Sequence, residues 1–107
     1  MPVEHPRARR YPFVTKIELT DVRLETHIED RTSDLSLFGC YVETQKPFPQ
    51  GTKLKIRIAH RGANFEALGR TAYVRPNSGM GIVFTKIDQN DQLILEKWIA
   101  ELRAQRE

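Results

Sequence analysis

A chain of 107 residues has room for one domain around a single hydrophobic core of modest size, which excludes a multi-domain enzyme. Apolar residues make up 39% and charged residues 29%, an ordinary globular balance, and runs such as Gly81-Ile82-Val83-Phe84 fall far short of the roughly 20 apolar residues that cross a bilayer. The net charge of +3 is too mild for a general nucleic-acid binder.

The cations are unevenly placed. Arg7, Arg9 and Arg10 fall within four residues and have only Glu4 as a counter-charge. All three are arginine, whose planar fork holds a phosphate or a guanine edge bidentately and stacks on a base. An inert, solvated tail carries the same signature. Residues 1–13 are expected to form a flexible basic arm. Met1 to Arg10 is polar with no apolar stretch behind it, so no secretory signal is expected.

Phe13, Thr15, Ile17 and Leu19 share one parity and read as a strand, and Val22, Leu24, Thr26 and Ile28 continue on the other. The change of phase predicts a bulge or turn near Thr20-Asp21. A polar stretch, Glu29 to Ser33, leads into Asp34-Leu35-Ser36-Leu37-Phe38-Gly39. Cys40 to Thr44 is the next β-prone run, ended by Pro47, Pro49 and Gly51. Lys53 to Ala59 alternates apolar and cationic side chains, as a half-buried antiparallel strand does. His60 to Asn64 reads as a hairpin connection, and Phe65 to Arg75 as a long strand with Leu68, Ala72 and Val74 on one face. Pro76-Asn77-Ser78-Gly79 is turn chemistry, and Met80 to Phe84 closes the sheet. Short strands at this spacing point to a small barrel or a sandwich, and a barrel removes the exposed edges.

Ile94, Leu95, Trp98, Ile99 and Leu102 recur at helical spacing and predict an amphipathic helix over about 88–104, with Asp88 and Asp91 at its positive end. Trp98 is expected to pack on the barrel as core or lid, with an exposed partner-binding role as the alternative. Cys40 is the single cysteine, so no internal disulfide forms and a reducing cytoplasm is the expected compartment. Its apolar neighbours make it a small core hydrophobe rather than a reactive thiol. His5, His27 and His60 stand singly, without the short-range pairing of a tetrahedral site, so no metal is expected. There is no Gly-x-Ser-x-Gly elbow and no phosphate-loop glycine pattern, and catalysis is not expected.

Asp34-x-Ser36-x-x-Gly39 is the informative cluster. Two residues apart on an extended segment, Asp34 and Ser36 point to one side, and Gly39 lets the backbone turn or approach a ligand closely. An ionised carboxylate accepts from the N1–H and amine of guanine, while arginines reach its O6 and N7 or a phosphate. A structural serine turn entering a strand is the other reading of the same residues.

With what flanks it, the pattern resembles the PilZ domain family, small six-stranded antiparallel β-barrels with a C-terminal helix that bind cyclic di-GMP. The family pairs an Arg-x-x-x-Arg segment with a later Asp-or-Asn-x-Ser-x-x-Gly segment. The second is intact here as Asp34, Ser36 and Gly39, beginning 24 residues after Arg10. Gly51-x-x-Leu-x-Ile, Gly69 to Arg75, Gly79 to Phe84 and the terminal helix are similar too. The arginine motif departs from the family. Placing Arg10 at its second position leaves Pro6 at the first, and placing Arg9 there leaves His5, so Arg7 would have to substitute.

The resemblance implies a barrel over 14–107 behind the arm and a cyclic di-GMP receptor and adaptor, with no metal or further cofactor. Arg10, with Arg7 or Arg9, would contact phosphate or guanine, Asp34 would accept from guanine, Ser36 would hydrogen-bond nearby, and Gly39 belongs to the same segment. Ordering of the arm would signal to an effector protein in bacterial motility or surface behaviour. Two alternatives stand beside it. One is a degenerate PilZ-like interaction module that keeps the barrel without binding cyclic di-GMP. The other is nucleic-acid binding through Arg7 to Arg10, with an affinity falling steeply with salt.

Overall fold

In the computed structural model, which describes residues 9–105, the chain runs through seven strands into one helix. They are β1 (Tyr11–Pro12), β2 (Lys16–Asp21), β3 (His27–Leu35), β4 (Gly39–Glu43), β5 (Lys53–His60), β6 (Ala63–Arg75), β7 (Gly79–Lys86) and α1 (Gln89–Gln105). Six strands follow the order β3-β2-β5-β6-β7-β4, and β4 returns to β3 to close a barrel, with β1 added to β3. Every pairing is antiparallel.

The period-two pattern sets what faces inward. In β5 Leu54, Ile56 and Ile58 are buried while Lys53, Lys55 and Arg57 are exposed. Ile17 and Leu19 of β2, Phe65 of β6, Cys40 and Val42 of β4, and Met80 and Ile82 of β7 complete the same core. Arg61 and Gly62 alone form the β5–β6 turn, with φ of 50° and 79°, and His60 pairs directly with Ala63. Two consecutive left-handed residues match the twist of a hairpin, so β6 starts two residues earlier than its hydrophobic pattern predicts.

Three strand readings are corrected. Val22 and Leu24 do not continue a strand: they lie in the turn expected after Thr20-Asp21, where the Asp21 carboxylate accepts from the N–H of Arg23 at 2.9 Å and of Leu24 at 3.2 Å and both apolar side chains are exposed. The polar stretch 29–33 is the middle of β3, not a lead-in. In β6 the buried parity is Phe65, Ala67, Gly69 and Thr71, and Leu68 faces out. Gly69 sits inside because a Cβ there would strike the Ile56 side chain and the Val83 backbone, and a register shift beyond Thr71 turns Val74 back toward the core.

The helix closes one end. Leu95, Trp98 and Ile99 are its buried face. The Trp98 ring lies 5.7 Å from Phe13, 5.4 Å from His60 and 6.1 Å from Phe65, so it is core, as expected. Asp88 precedes the helix and its carbonyl accepts from Gln92 N–H at 2.8 Å. β6 outruns β7, and Asp91 takes the N–H of Glu66 on that open edge at 2.9 Å. At the other terminus Tyr11 and Phe13, assigned above to the arm, are each only 4% exposed, so ordered structure reaches back to Tyr11. Pro6, His5 and Arg7 lie outside the described residues. Among the described residues no helix is long and apolar enough to cross a membrane.

Candidate ligand-binding face

β1 and β2 occupy the same edge of β3: β2 pairs with 27–31, and β1 pairs with Asp34 and Leu35. The break between them is stitched by the buried Thr32, whose hydroxyl donates to the Phe13 carbonyl at 2.5 Å and accepts from Thr15 N–H at 3.1 Å. Tyr11 and Leu35 are opposite one another and buried, so the alternation directs Pro12, Asp34 and Arg10 outward. Arg10 thereby becomes the diagonal neighbour of Asp34, and its Nη1 donates to Asp34 Oδ1 at 2.9 Å. The register of β3 on β4 shifts between Thr32 and Asp34, a bulge at the point where the carboxylate is aimed.

Asp34 Oδ1 also accepts from the N–H of Tyr41 at 3.1 Å. Its other oxygen receives no hydrogen bond among the described residues, and the side chain is 27% exposed. A ligand N–H thus has an acceptor already held in place. Arg9 is exposed and forms no ion pair among the described residues.

Ser36 does something other than stand beside Asp34. It is 4% exposed, and its hydroxyl accepts from the N–H groups of Phe38 and Gly39, both at 3.1 Å, while donating to the Gly39 carbonyl at 3.3 Å. It builds the β3–β4 turn. Gly39 is required by its neighbour strand, because a Cβ there would fall against the Ile82 carbonyl. Of the three motif residues, Asp34 offers the outward-facing group and the other two shape its support. Behind the face, Cys40 is fully buried, and burial first, then the nearby Asp34 charge, pushes its thiol up to about 12 against the opposing pull of Arg10. It is the inert core residue expected.

Two clusters escaped the sequence reading because they form across strands. Tyr41 of β4 and Tyr73 of β6 lie 6.3 Å apart between ring centroids, with the Arg75 guanidinium carbon 5.5 Å from each. On the outer face of β2 and β3, Glu18, His27 and Glu29 bring ligand atoms within 4.8 Å of one another, although Lys16 already pairs with Glu29 at 3.2 Å. Neither His27 nor His60 reaches Ser36: the first faces Glu18 and Glu29, and the second packs edge-on to Phe13 and Trp98. A cleft of about 760 Å³ lies between the 21–24 turn and Pro49–Lys53, lined by none of the motif residues.

The PilZ domain family model matches residues 4–101 of this chain. No curated relative matches it. Among solved structures, the barrel superposes on the PilZ domain of CeSA from a cellulose-synthesizing bacterium with a TM-score of 0.73 at 18% identity, covering 90% of this chain and 99% of that one. The E. coli YcgR PilZ domain with c-di-GMP gives 0.74 at 16% identity, covering 96% and 95%. The Bacillus subtilis inhibitor of motility MotI/DgrA gives 0.78 at 16% identity, covering 98% of this chain but 54% of its own. PilZ domains are ligand-binding regulatory modules of a cyclic di-GMP receptor family. With the profile spanning the barrel and most of the helix, and the Asp-x-Ser-x-x-Gly turn built as described, the chain belongs to the PilZ domain family.

Proposed function

We propose that this chain is a cyclic di-GMP receptor and adaptor that binds the dinucleotide on the open face around Asp34. The observation that carries this reading is the Arg10–Asp34 contact at 2.9 Å, which joins the arginine segment and the Asp-x-Ser-x-x-Gly segment across 24 residues of sequence. The pair is cheap to rearrange, since an exposed ion pair contributes under about 1 kcal/mol. On binding, Arg10, helped by Arg9 or Arg7, turns its fork to a phosphate or the guanine O6 and N7, and Asp34 accepts from the guanine N1–H and amine. Ser36 and Gly39 act through the turn that holds Asp34.

The ligand draws the segment ahead of Tyr11 onto the barrel, and the composite surface is what an effector protein reads. The fold shared with an inhibitor of motility supports an output in bacterial motility or surface behaviour. A cytoplasmic setting suits both the messenger and an unpaired cysteine.

Calorimetry with cyclic di-GMP tests the reading. Saturable heat is expected, with Arg10→Ala and Asp34→Ala each weakening binding about ten- to a hundredfold, the equivalent of one guanine contact of about 1–3 kcal/mol. No heat at high micromolar ligand, or variants that bind like wild type, would reject it. Capture of a partner that is indifferent to the dinucleotide would instead favour the interaction module that Pro6 or His5 in an arginine position allows.

A further inference from the structure

The 21–24 turn lies beside the start of β5, the opposite end of that strand from His60 and the helix. It is tied down on every side. Asp21 N–H donates to the Thr26 carbonyl at 2.8 Å, Glu25 N–H to the Asp21 carbonyl at 2.7 Å and Val22 N–H to the Lys53 carbonyl at 3.0 Å, besides the two bonds to the Asp21 carboxylate. A turn held in this way nevertheless displays Val22 and Leu24, 45% and 71% exposed, at the lip of the cleft that runs to Pro49–Lys53.

An isolated exposed aliphatic needs no explanation, but these two have cations around them. Arg23 stands between them and Lys53 lines the same cleft. Lys53 is directly opposite Arg70, and Lys55 is directly opposite Leu68, a third exposed aliphatic. Arg23, Lys53, Lys55 and Arg70 are all exposed, and none forms an ion pair among the described residues. Of the acids nearby, Asp21 is engaged within the turn, Glu66 is opposite Arg57 instead, and Glu25 is the remaining acid of the turn. Like charges directly opposite one another destabilise a sheet, a cost that facing anions relieve at Lys53 and Arg70.

The chemistry of the patch selects among anionic partners. Lysine is depleted from protein–protein interfaces, and leucine and valine are under-represented among their energetic anchors. No aromatic ring stands among these residues to stack a nucleic-acid base. Aliphatic side chains beside basic ones fit the surface of an anionic bilayer, where the first enter the acyl boundary and the second stay with the headgroup phosphates.

We propose that the 21–24 turn and the cations of β5 and β6 beside it form a peripheral docking surface for an anionic lipid bilayer. The surface shares no residue with the Asp34 face, so it goes beyond the receptor reading and stands or falls apart from it.

Flotation of the full chain with phosphatidylcholine vesicles, with and without an equal part of phosphatidylglycerol, tests this at low salt. Wild type is expected to float with the anionic vesicles only, and added salt should release it. Lys53→Gln with Arg70→Gln should weaken the partition about thirtyfold, since each cation near such a surface contributes about fivefold. Val22→Ser with Leu24→Ser should weaken it about tenfold. Lys97→Gln with Arg103→Gln, an equal loss of charge on α1, should change it by about twofold or less. All six positions are exposed, so the variants should melt with wild type. Wild type that ignores the anionic vesicles overturns the inference, and an equal loss in the α1 pair overturns it by reducing the effect to net charge. If the serine pair floats like wild type, the aliphatics do not enter lipid and the bilayer assignment fails; polyglutamate binding to wild type would then mark an acidic-protein surface.

Discussion

Replacing Ser36 by alanine separates a turn-building hydroxyl from a ligand-binding one. The substitution removes the acceptor for two N–H groups and a donor to the Gly39 carbonyl. Gly39 is buried, so its N–H is left without a partner at a penalty of about 1–3 kcal/mol, whereas Phe38 is half exposed and its N–H can turn to water for about 1 kcal/mol or less. The Ser36 N–H bond to the Gly39 carbonyl at 2.8 Å survives and keeps the turn from opening altogether. The expected loss is about 2–3 kcal/mol. At about 2 cal/mol/K of unfolding entropy per residue this lowers the melting temperature of a domain of this size by about 10 °C. Calorimetric melting and urea titration measure it, and the urea midpoint should fall at constant slope. A loss below about 0.5 kcal/mol, the range of ordinary surface substitutions, would show that the hydroxyl does not hold the turn. Loss of cyclic di-GMP binding without that destabilisation would make Ser36 a ligand contact instead.

Trp98→Ala removes the ring that spans Phe13, His60 and Phe65, and should lower stability by about 3–5 kcal/mol in a denaturant titration, with Trp98→Phe recovering most of it. A change under about 1 kcal/mol would mean the helix is not part of the core. Burial first, and the Arg61 charge second, hold the His60 pKa below its ordinary value against Glu101, so the unfolded chain takes up the proton more readily. That contribution to stability is complete above about pH 6.5 and drains away as the pH falls through the lower folded value. Melting temperature against pH should show this window, and His60→Gln should flatten it; an unchanged profile in the variant refutes the assignment. Glu29, lowered chiefly by Lys16, adds a separate loss only at more acidic pH, within and below the carboxylate range. Cys40, with its thiol pushed up to about 12, should resist thiol reagents in the native protein and react once urea unfolds it. Prompt labelling of the folded chain would contradict its place in the core.

Where side chains alternate in chemistry, the strands were legible. β5, with three aliphatic residues between cations, and α1, with its stripe through Trp98, stand where the pattern places them. β3 was obscured because its inward position at Thr32 is polar and its outer face carries Glu29 and Arg31, so no apolar period marks it. β6 was misphased because the inward residues Gly69 and Thr71 are small or polar while Leu68 is exposed. The Asp34 segment was recognisable as a motif, yet the division of labour within it was not, since the hydroxyl of Ser36 is consumed by N–H groups that only the folded turn aligns. Arg75 was invisible for a different reason: its link to Tyr41 depends on the register of β4 and β6 against β7, which no local spacing encodes.

The interrupted strand that lines one edge of β3 has a mechanical corollary. Arg10 and Phe13 are separated by only Tyr11 and Pro12, one ring packed into the interior and the other of fixed backbone angle, so little slack exists between them. Phe13 in turn abuts Trp98. A backbone displacement at Arg10 therefore has little slack to absorb it before Phe13 and the seat of the helix, while β3 and β4 close the barrel independently of this tether.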